Sequence, residues 1–365
     1  MKTTLMNILM DKNIKYIVES LNKSRASDGV SIMEVCGTHT MVISRYGLRQ
    51  IIPETINLIS GPGCPVCVTP ASDIDTILEI TENYDISLFT FGDMLHVPGS
   101  KSSLYDKKSE GKDIKICYSP SDALNFAKKN PSRKVILLAI GFETTIPLTS
   151  VIIKRAYTEK INNFFIYNVH KLIPEALETL LKDEHVKIDA FLCPGHVSAI
   201  IGSIPYKSIA EKYRVPCVIS GFEPFDILES IDMIIKQIKD DRYDVQIQYN
   251  RVVREEGNPA AIKLIYEVFD KTDSVWRGLG NIPDSGLKLK EDFLRFDAKI
   301  HFPVKKIKSK EPPGCRCGDV LKGIKKPFEC KLFSKVCRPD NPVGPCMVSS
   351  EGSCAAYYRY EKLKA

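Results

Sequence analysis

Apolar and polar positions alternate in two patterns between about residues 30 and 270. Short, nearly continuous apolar runs are separated by stretches in which apolar residues recur every three or four positions, as on one face of a helix. This alternation is typical of α/β proteins with parallel sheets. We therefore expect strands near 31–36, 56–60, 85–91, 113–118, 134–140, 164–169, 188–193, 215–219 and 245–253.

The helical pattern is clearest in three stretches, which predict helices over 72–83, 174–184 and 224–240. Ser72 and Pro174 are residue types that commonly begin helices. The predicted strands are followed by the segments CGTHT, GPGCPVC, FGD, GFETT, PGHVS and GFEP. Because ligands of open α/β sheets bind outside the carboxyl ends of the strands, these segments are expected to converge on one or two crevices.

The tripeptide Gly-Phe-Glu occurs twice, each time after an apolar run, and this repetition predicts two similar lobes. We assign them to 30–140 and 141–245, as Rossmann-like α/β lobes whose parallel sheets face a crevice. Farther on, helical periodicity fades and prolines interrupt any long element. Residues 246–365, together with 1–29, are therefore predicted to form a C-terminal domain organised by its cysteines.

Composition and charge exclude several classes of protein. Of the 365 residues, 44% are hydrophobic and 26% are charged, which is average for a globular protein. The net charge of +6 is spread along the chain, so nucleic acid is not an expected partner. The longest apolar run, 135–140, is far shorter than the roughly 20 residues of a membrane helix. Asp11 interrupts the N-terminus before a secretory apolar region could form, so a cytoplasmic location is expected.

The segment GPGCPVC contains two cysteines, Cys64 and Cys67, in a C-x-x-C pattern. Glycine and proline favour a tight turn, and the spacing lets the two sulfurs form a disulfide or share a metal. A thiol near a helix N-terminus has a lowered pKa, which suits a redox-active pair. The alternative is two ordinary cysteines in a turn.

The segment CGTHT places Cys36 three residues before His39. Taken alone, it could be a turn with a buried thiol and a histidine bound to backbone carbonyls. Taken with Cys64 and Cys67, it becomes a plausible four-ligand zinc set, and thiolates also suit iron and copper. Glu143 in GFETT and His196 in PGHVS could line a crevice or could equally fix turns.

Twelve cysteines are present, and six of them lie between residues 315 and 354. In a reducing cytosol this crowding points to metal or redox chemistry. Four thiolates without a histidine favour an iron-sulfur cluster or a zinc site, and the absence of paired C-x2-C hooks favours the cluster. The four in a C-x14-C-x6-C-x16-C pattern are Cys315, Cys330, Cys337 and Cys354. The remaining two, Cys317 and Cys346, could form a disulfide or a second redox pair.

The segments CGTHT, GPGCPVC, FGDMLHVPGS, GFETT, PGHVS and GPCMVSSEGSCAAYY, in this order, resemble the HypD family of hydrogenase maturation factors. The resemblance extends from Glu34 to Tyr358. It implies a role in building the Fe(CN)2CO unit of [NiFe] hydrogenases. The expected partners are HypC, a small protein on which the iron is assembled, and HypE, which donates cyanide as an enzyme-bound thiocyanate. The chain itself is expected to be monomeric alone.

The resemblance also implies residue roles. Cys36 would bind the transient iron that carries cyanide and CO, with His39 close by. Cys64 and Cys67 would be the redox-active pair beside it. A [4Fe-4S] cluster would be held by Cys315, Cys330, Cys337 and Cys354. Cys317 and Cys346 would form a further pair that could be linked as a disulfide.

Together these expectations describe a redox-active scaffold rather than a conventional turnover enzyme. Two alternatives remain open at this point. The first is an iron-sulfur thiol-disulfide oxidoreductase that acts on a protein partner without a bound iron intermediate. The second is a structural zinc protein whose crevice only binds another protein.

Overall fold

Buried apolar strands form the framework of the protein in the computed structural model, which describes residues 9–23, 29–305 and 307–361. Strands such as Ile86–Thr90 and Ala190–Pro194 are buried at every position, as expected where helices cover both faces of a parallel sheet. All nine predicted strands are confirmed. They are β1 (Val30–Glu34), β2 (Ile56–Ser60), β3 (Ile86–Thr90), β4 (Ile114–Ile116), β5 (Lys134–Ala139), β6 (Phe164–Asn168), β7 (Ala190–Pro194), β8 (Cys217–Ser220) and β9 (Val245–Ile247).

These strands form two parallel sheets. The first has the order β2-β1-β7-β8-β9 and the second has the order β4-β3-β5-β6. Helices connect the strands, as a parallel sheet requires. They are α1 (Lys12–Lys23), α2 (Gly37–Tyr46), α3 (Pro65–Val68), α4 (Ala71–Asn83), α5 (Leu104–Ser109), α6 (Pro120–Lys129), α7 (Ile146–Thr158), α8 (Ile173–Leu181), α9 (Gly195–Ile201), α10 (Ile204–Tyr213), α11 (Pro224–Lys239), α12 (Pro259–Val268), α13 (Ala298–His301), α14 (Cys317–Leu321), α15 (Pro345–Val348) and α16 (Ser353–Tyr360). The three predicted helices correspond to α4, α8 and α11.

The strand order does not follow the predicted division at residue 140. In the first sheet β1 pairs with β7, with Ile32 opposite Ala190, although these residues were assigned to different lobes. In the second sheet β5 pairs with β6 across that boundary, with Val135 opposite Phe164. The hydrophobic pattern of a strand predicts its type but carries no signal for its pairing partner, which explains the difference.

The N-terminal helix α1 also packs differently from the predicted grouping of 1–29 with the C-terminal residues. Ile14, Ile17 and Leu21 are buried in the core that contains β1 and α11. The hydroxyl of Ser20 donates a hydrogen bond of 2.9 Å to the carboxylate of Asp232 on α11. Residues 1–8 and 24–28 of that grouping lie outside the described residues.

Two strands after residue 268 were not predicted. β10 (Phe269–Trp276) and β11 (Gly280–Leu289) form an antiparallel hairpin. In β10 only the two end residues are buried, and the positions between them are mostly charged or polar, so the strand shows no apolar run. Propensity and pattern therefore missed a strand that tertiary packing stabilises.

The cysteine-rich C-terminal segment, residues 311–361, has only short helices, as its prolines and cysteines predict. One continuous apolar core joins it to both sheets, since the same core contains Met33 of β1, Ile136 of β5, Trp276 of β10 and Cys346 of α15. Within the described ranges, none of the helices has the length and apolar character needed to cross a membrane.

Candidate redox and metal-binding site

Four of the six segments that follow strands lie at the carboxyl edge of the first sheet. β1 and β2 are parallel neighbours, with Glu34 opposite Ser60, so CGTHT and GPGCPVC leave the sheet side by side. PGHVS follows β7 and GFEP follows β8 in the same sheet. FGD and GFETT instead follow β3 and β5 of the second sheet. All six segments therefore follow the carboxyl ends of parallel strands, and their convergence on one or two crevices stays a prediction.

The turn that precedes Cys64 presses directly on the backbone of Cys36. The amide of Gly37 donates a hydrogen bond of 3.1 Å to the carbonyl of Gly63. A Cβ atom at Gly63 would lie 2.4 Å from the nitrogen of Cys36, which is closer than real contacts allow. Glycine is therefore required at this position by close approach.

Cys64 and Cys67 form a disulfide at the start of α3. Cys64 is the N-cap residue, Pro65 occupies the first turn, and the amide of Cys67 donates a hydrogen bond of 3.2 Å to the sulfur of Cys64. Both residues are buried. The structure thus confirms the close pair, while its redox activity stays a prediction.

The cysteine-rich C-terminal segment closes over the same edge. The hydroxyl of Thr38 donates a hydrogen bond of 3.0 Å to the carboxylate of Glu351. Gly37 lies against Glu351 so tightly that a Cβ atom there would be 2.4 Å from its carbonyl oxygen. The sulfur of Cys67 is 3.9 Å from the carbonyl oxygen of Pro345. Cys36, the disulfide and the C-terminal segment therefore form one assembly.

Cys36 is a buried free thiol at the N-cap of α2. Burial, together with the carboxylate of Glu351, raises the pKa of this thiol to about 11. The backbone amides of His39 and Thr38 oppose the shift because they favour a thiolate. At neutral pH the thiol is protonated, so a metal ion would have to displace that proton in order to bind.

His39 is fully buried and faces the GFEP segment. Its Nε2 lies 3.0 Å from the carbonyl oxygen of Gly221, which can only accept, so Nε2 carries the hydrogen. Burial lowers the pKa of His39 to about 4, and the ring is neutral at pH 7. Its Nδ1 has no hydrogen-bond partner among the described residues, which leaves that atom available as an acceptor or ligand.

Phe222 connects three of the segments through ring contacts. Its ring stacks on His39, with centroids 5.1 Å apart, and on His196, with centroids 3.8 Å apart. His196 lies on α9 and is exposed, but the protein displaces part of the water around its ring, and this partial desolvation lowers its pKa. The ring of Tyr249 packs edge-on against Phe222. The predicted crevice residue His196 is thus separated from His39 by a single aromatic ring.

Glu143 lies at the carboxyl edge of the second sheet. One carboxyl oxygen accepts a hydrogen bond of 2.9 Å from the amide of Ile173 at the start of α8, so the residue fixes a turn. The other oxygen is buried and has no partner among the described residues. Burial raises the pKa of this carboxyl to about 8. It lines a cavity of about 370 Å³ with residues of α8, α10 and α12.

The four predicted cluster ligands surround one small cavity. Cys315, Cys330, Cys337 and Cys354 are free thiols, and all four line it. Cys317 and Cys346 form a disulfide in its wall, which confirms their pairing. The remaining wall is largely apolar and includes Val320, Leu332, Phe333 and Met347.

The described side chains do not form a complete ligand set for a single metal ion. Among the described residues, no three His, Cys, Asp or Glu side chains are placed to hold one ion. Cys64 and Cys67 are bonded to each other and His39 uses Nε2 for Gly221, so the plausible zinc set with Cys36 is not arranged in this disulfide form, and metal binding there stays a prediction.

The family model described as HypD, hydrogenase formation hypA family, matches residues 12–361. The chain belongs to the HypD family. Its relatives include three proteins named hydrogenase maturation factor HypD. The protein of Escherichia coli is 45% identical over 335 residues, which cover 92% of this chain and 90% of that protein. The protein of Rhodobacter capsulatus is 44% identical over 345 residues, which cover 93% of this chain and 92% of that protein. The protein of Cupriavidus necator is 43% identical over 350 residues, which cover 94% of this chain and 92% of that protein.

Three residues of this HypD chain belong to the site although sequence reasoning did not single them out. Glu351 lies in the segment GPCMVSSEGSCAAYY and Phe222 lies in GFEP, but nothing in the sequence alone indicates a role for either position. Arg277 reaches the cysteine-rich segment from the β10–β11 turn. Nothing in its local sequence indicates this contact, because it depends on the unpredicted hairpin.

Proposed function

We propose that this hydrogenase maturation factor is a redox-active scaffold on which an iron atom receives cyanide and CO. The partners would be a HypC-type small protein that shares the iron and a HypE-type protein that delivers cyanide from a thiocyanate. The observation that carries the proposal is the direct packing of the Cys64–Cys67 turn on Cys36, fixed by the hydrogen bond from Gly37 to Gly63.

Cyanide transfer from a thiocyanate sulfur needs two electrons, and the site offers a source for them. When the dithiol form of Cys64 and Cys67 closes to the disulfide, it releases two electrons and two protons. These two electrons cleave the sulfur–carbon bond of the thiocyanate. Cyanide is released as an anion and binds the iron. One proton goes to the sulfur of the donor protein, and the second goes to solvent.

Cys36 would be the iron ligand of this chain. The backbone amides of Thr38 and His39, at the start of α2, can donate hydrogen bonds to its sulfur. These hydrogen bonds stabilise a thiolate once a cation replaces the proton. His39 has only Nδ1 free, because Nε2 binds Gly221. We therefore assign His39 to holding the CGTHT and GFEP segments together, with Nδ1 as its only atom able to reach a metal.

A [4Fe-4S] cluster is the resident group that the C-terminal cysteines fit best. Four free thiols line one cavity with largely apolar walls, and they are not arranged for a single ion. Cys315, Cys330, Cys337 and Cys354 would be its ligands. When bound, such a cluster supplies electrons one at a time, and a disulfide needs two of them to reopen. Because free thiols stay reduced in the cytoplasm, this proposal includes a cytoplasmic location.

The two sheets, in this proposal, form two lobes whose carboxyl edges face one crevice for the partner proteins. Support comes from the placement of all six segments at strand ends. Glu143 would line this crevice from the second sheet, and His196 from the first.

Infrared spectra of the chain co-purified with its HypC-type partner test this function. Bands of iron-bound cyanide and CO are expected for the native chain and for the control Cys117→Ala, whose thiol is buried outside the site. Cys36→Ala is expected to lose them. A native complex without such bands, but with disulfide-reducing activity, would favour the oxidoreductase alternative, for which the Cys64–Cys67 disulfide is the supporting observation.

A further inference from the structure

Arg277 occupies the tight turn between β10 and β11 and connects the redox disulfide to the cysteine cavity. Its side chain is only 1% exposed. Its backbone amide donates a hydrogen bond of 2.8 Å to the carbonyl of Val68, and its Nε donates one of 2.8 Å to the carbonyl of Thr69. Val68 is the last residue of α3 and Thr69 is its C-cap, and Cys64 is the N-cap of the same helix. Arg277 therefore holds the C-terminal end of that helix in place.

The other end of the same side chain points to the cysteine-rich segment. One terminal nitrogen, Nη1, forms an ion pair with Glu311. The other, Nη2, is buried and has no hydrogen-bond partner among the described residues. Arg277 lines a cavity of about 160 Å³ together with Cys315 and Cys317. A buried guanidinium N–H without a partner is costly, so its place beside these sulfurs calls for an explanation.

The turn has little freedom to move the guanidinium away. Gly278 follows Arg277 with a positive φ of 80°, and a Cβ atom there would lie 2.4 Å from the Cα of Gly318 on α14. α14 begins at Cys317. The turn is thus pressed on one side against the helix of the Cys317–Cys346 disulfide and is bonded on the other side to the helix of the Cys64–Cys67 disulfide.

We propose that Arg277 is a positioning residue that raises the reduction potential of the iron-sulfur group held by Cys315 and its three partners. This inference rests on the proposed function, since it presumes that group. Reduction adds a negative charge to this group, and the buried positive charge of Arg277 lies across the cavity that its side chain lines together with Cys315. The attraction between these opposite charges stabilises the reduced form.

The exposed partner Glu311 makes the idea testable in both directions. Its carboxylate offsets the charge of Arg277, and its side chain is 53% exposed, so its replacement does not disturb the core. Arg277→Gln removes the positive charge and is expected to make the cluster harder to reduce. Glu311→Gln removes the offsetting charge and is expected to make it easier to reduce.

The experiment is an anaerobic redox titration of the full chain, followed by visible absorption and electron paramagnetic resonance with dithionite as reductant. For Arg277→Gln we expect about a tenfold lower ratio of reduced to oxidised cluster at a given potential, which equals about 59 mV for a one-electron couple. Arg316→Gln is the matched control. Arg316 lines the same cavity, but its side chain is 59% exposed, so a smaller shift is expected because solvent screens its charge.

The outcomes separate this inference from the proposed function. A native chain without iron-sulfur signals would contradict both the role of Arg277 and the proposed cluster. If the native cluster is present but its reduction potential is unchanged in both Arg277→Gln and Glu311→Gln, only the role of Arg277 is overturned. Equal shifts of the potential in Arg277→Gln and Arg316→Gln would overturn it as well. If Arg277→Gln does not fold, the positive shift expected for Glu311→Gln decides the question.

Discussion

The hydroxyl of Thr38 donates a hydrogen bond of 3.0 Å to the carboxylate of Glu351, although 313 positions separate the two residues. This contact places a negative charge beside Cys36, where it raises the pKa of the thiol. The C-terminal segment therefore influences the chemistry of CGTHT in addition to carrying its own cysteines.

Replacement of Glu351 by glutamine is expected to lower the pKa of Cys36, because a like charge next to the developing thiolate disappears. The amide keeps the shape and can still accept the hydrogen bond from Thr38. The pH dependence of Cys36 alkylation, followed by peptide mass spectrometry, should show a midpoint near pH 11 for the native chain and a lower one for the variant. Glu291→Gln, at an exposed position, serves as the control. Equal midpoints in native and Glu351→Gln protein would refute the electrostatic role.

Gly63 is the position where the two segments touch. In Gly63→Ala the new methyl group would meet the backbone of Cys36 at 2.4 Å, so the turn or α2 must shift. Overpacking of this kind costs about 1–3 kcal/mol of the free energy of unfolding. Gly92→Ala is the matched control, because a Cβ atom there meets nothing within 4 Å. Urea denaturation measures both, and an equal effect in the two variants would contradict the close packing.

Acid should destabilise the protein through His39. Its pKa is about 4 in the folded state, against 6.5 for the ordinary side chain, so the unfolded chain binds a proton first as pH falls. Stability is therefore expected to decrease between about pH 6.5 and 4, by about 3 kcal/mol if this group acts alone. His170, with a pKa of about 3, acts in the same direction.

His39→Gln isolates the contribution of His39 to that loss. Glutamine keeps an N–H donor for the carbonyl of Gly221 but does not titrate. The variant should lose less free energy of unfolding than the native chain between pH 6.5 and 4, as measured by urea denaturation at several pH values. Parallel pH profiles of the two proteins would show that His39 is not a buried neutral ring.

Arg49 anchors the last helix to the first strand. Its guanidinium forms ion pairs with the buried Glu34 and, at 2.7 Å, with Glu361, and it lies 4.8 Å from the ring centre of Tyr357. Arg49→Gln leaves the Glu34 carboxylate buried and unpaired, which is expected to cost about 3–5 kcal/mol. Arg45→Gln, at an exposed position near the end of α2 and four residues before Arg49, should change little. Hydrogen exchange of the α16 amides should rise only in Arg49→Gln, and unchanged exchange would contradict the anchoring role.

The sequence predicts the strands because each β-strand from β1 to β9 has an apolar core or a clear turn at its end. It does not predict that β1 pairs with β7, since two parallel strands so far apart share no local pattern. The β10–β11 hairpin and Arg277 were missed for a related reason. Their polar residues look like a loop until the packing against α3 and the cysteine-rich segment is known.

The site is predicted better than the fold that carries it. The C-x-x-C spacing itself implies that Cys64 and Cys67 can meet, and the disulfide confirms this. The neighbourhood of Cys36 could not be predicted, because it depends on the register of β1 and β2 and on the approach of Glu351. Such long-range contacts also decide which nitrogen of His39 remains free.

The most direct test of the redox scaffold is a single-turnover assay that counts both products in the complex with the partner proteins. Iron-bound cyanide is measured by infrared absorption, and the Cys64–Cys67 disulfide by thiol trapping and mass spectrometry. Starting from the dithiol, the account predicts one new disulfide for each cyanide transferred, and no cyanide on iron in the double variant Cys64→Ala with Cys67→Ala. Cyanide transfer at the native rate in that double variant would contradict the account.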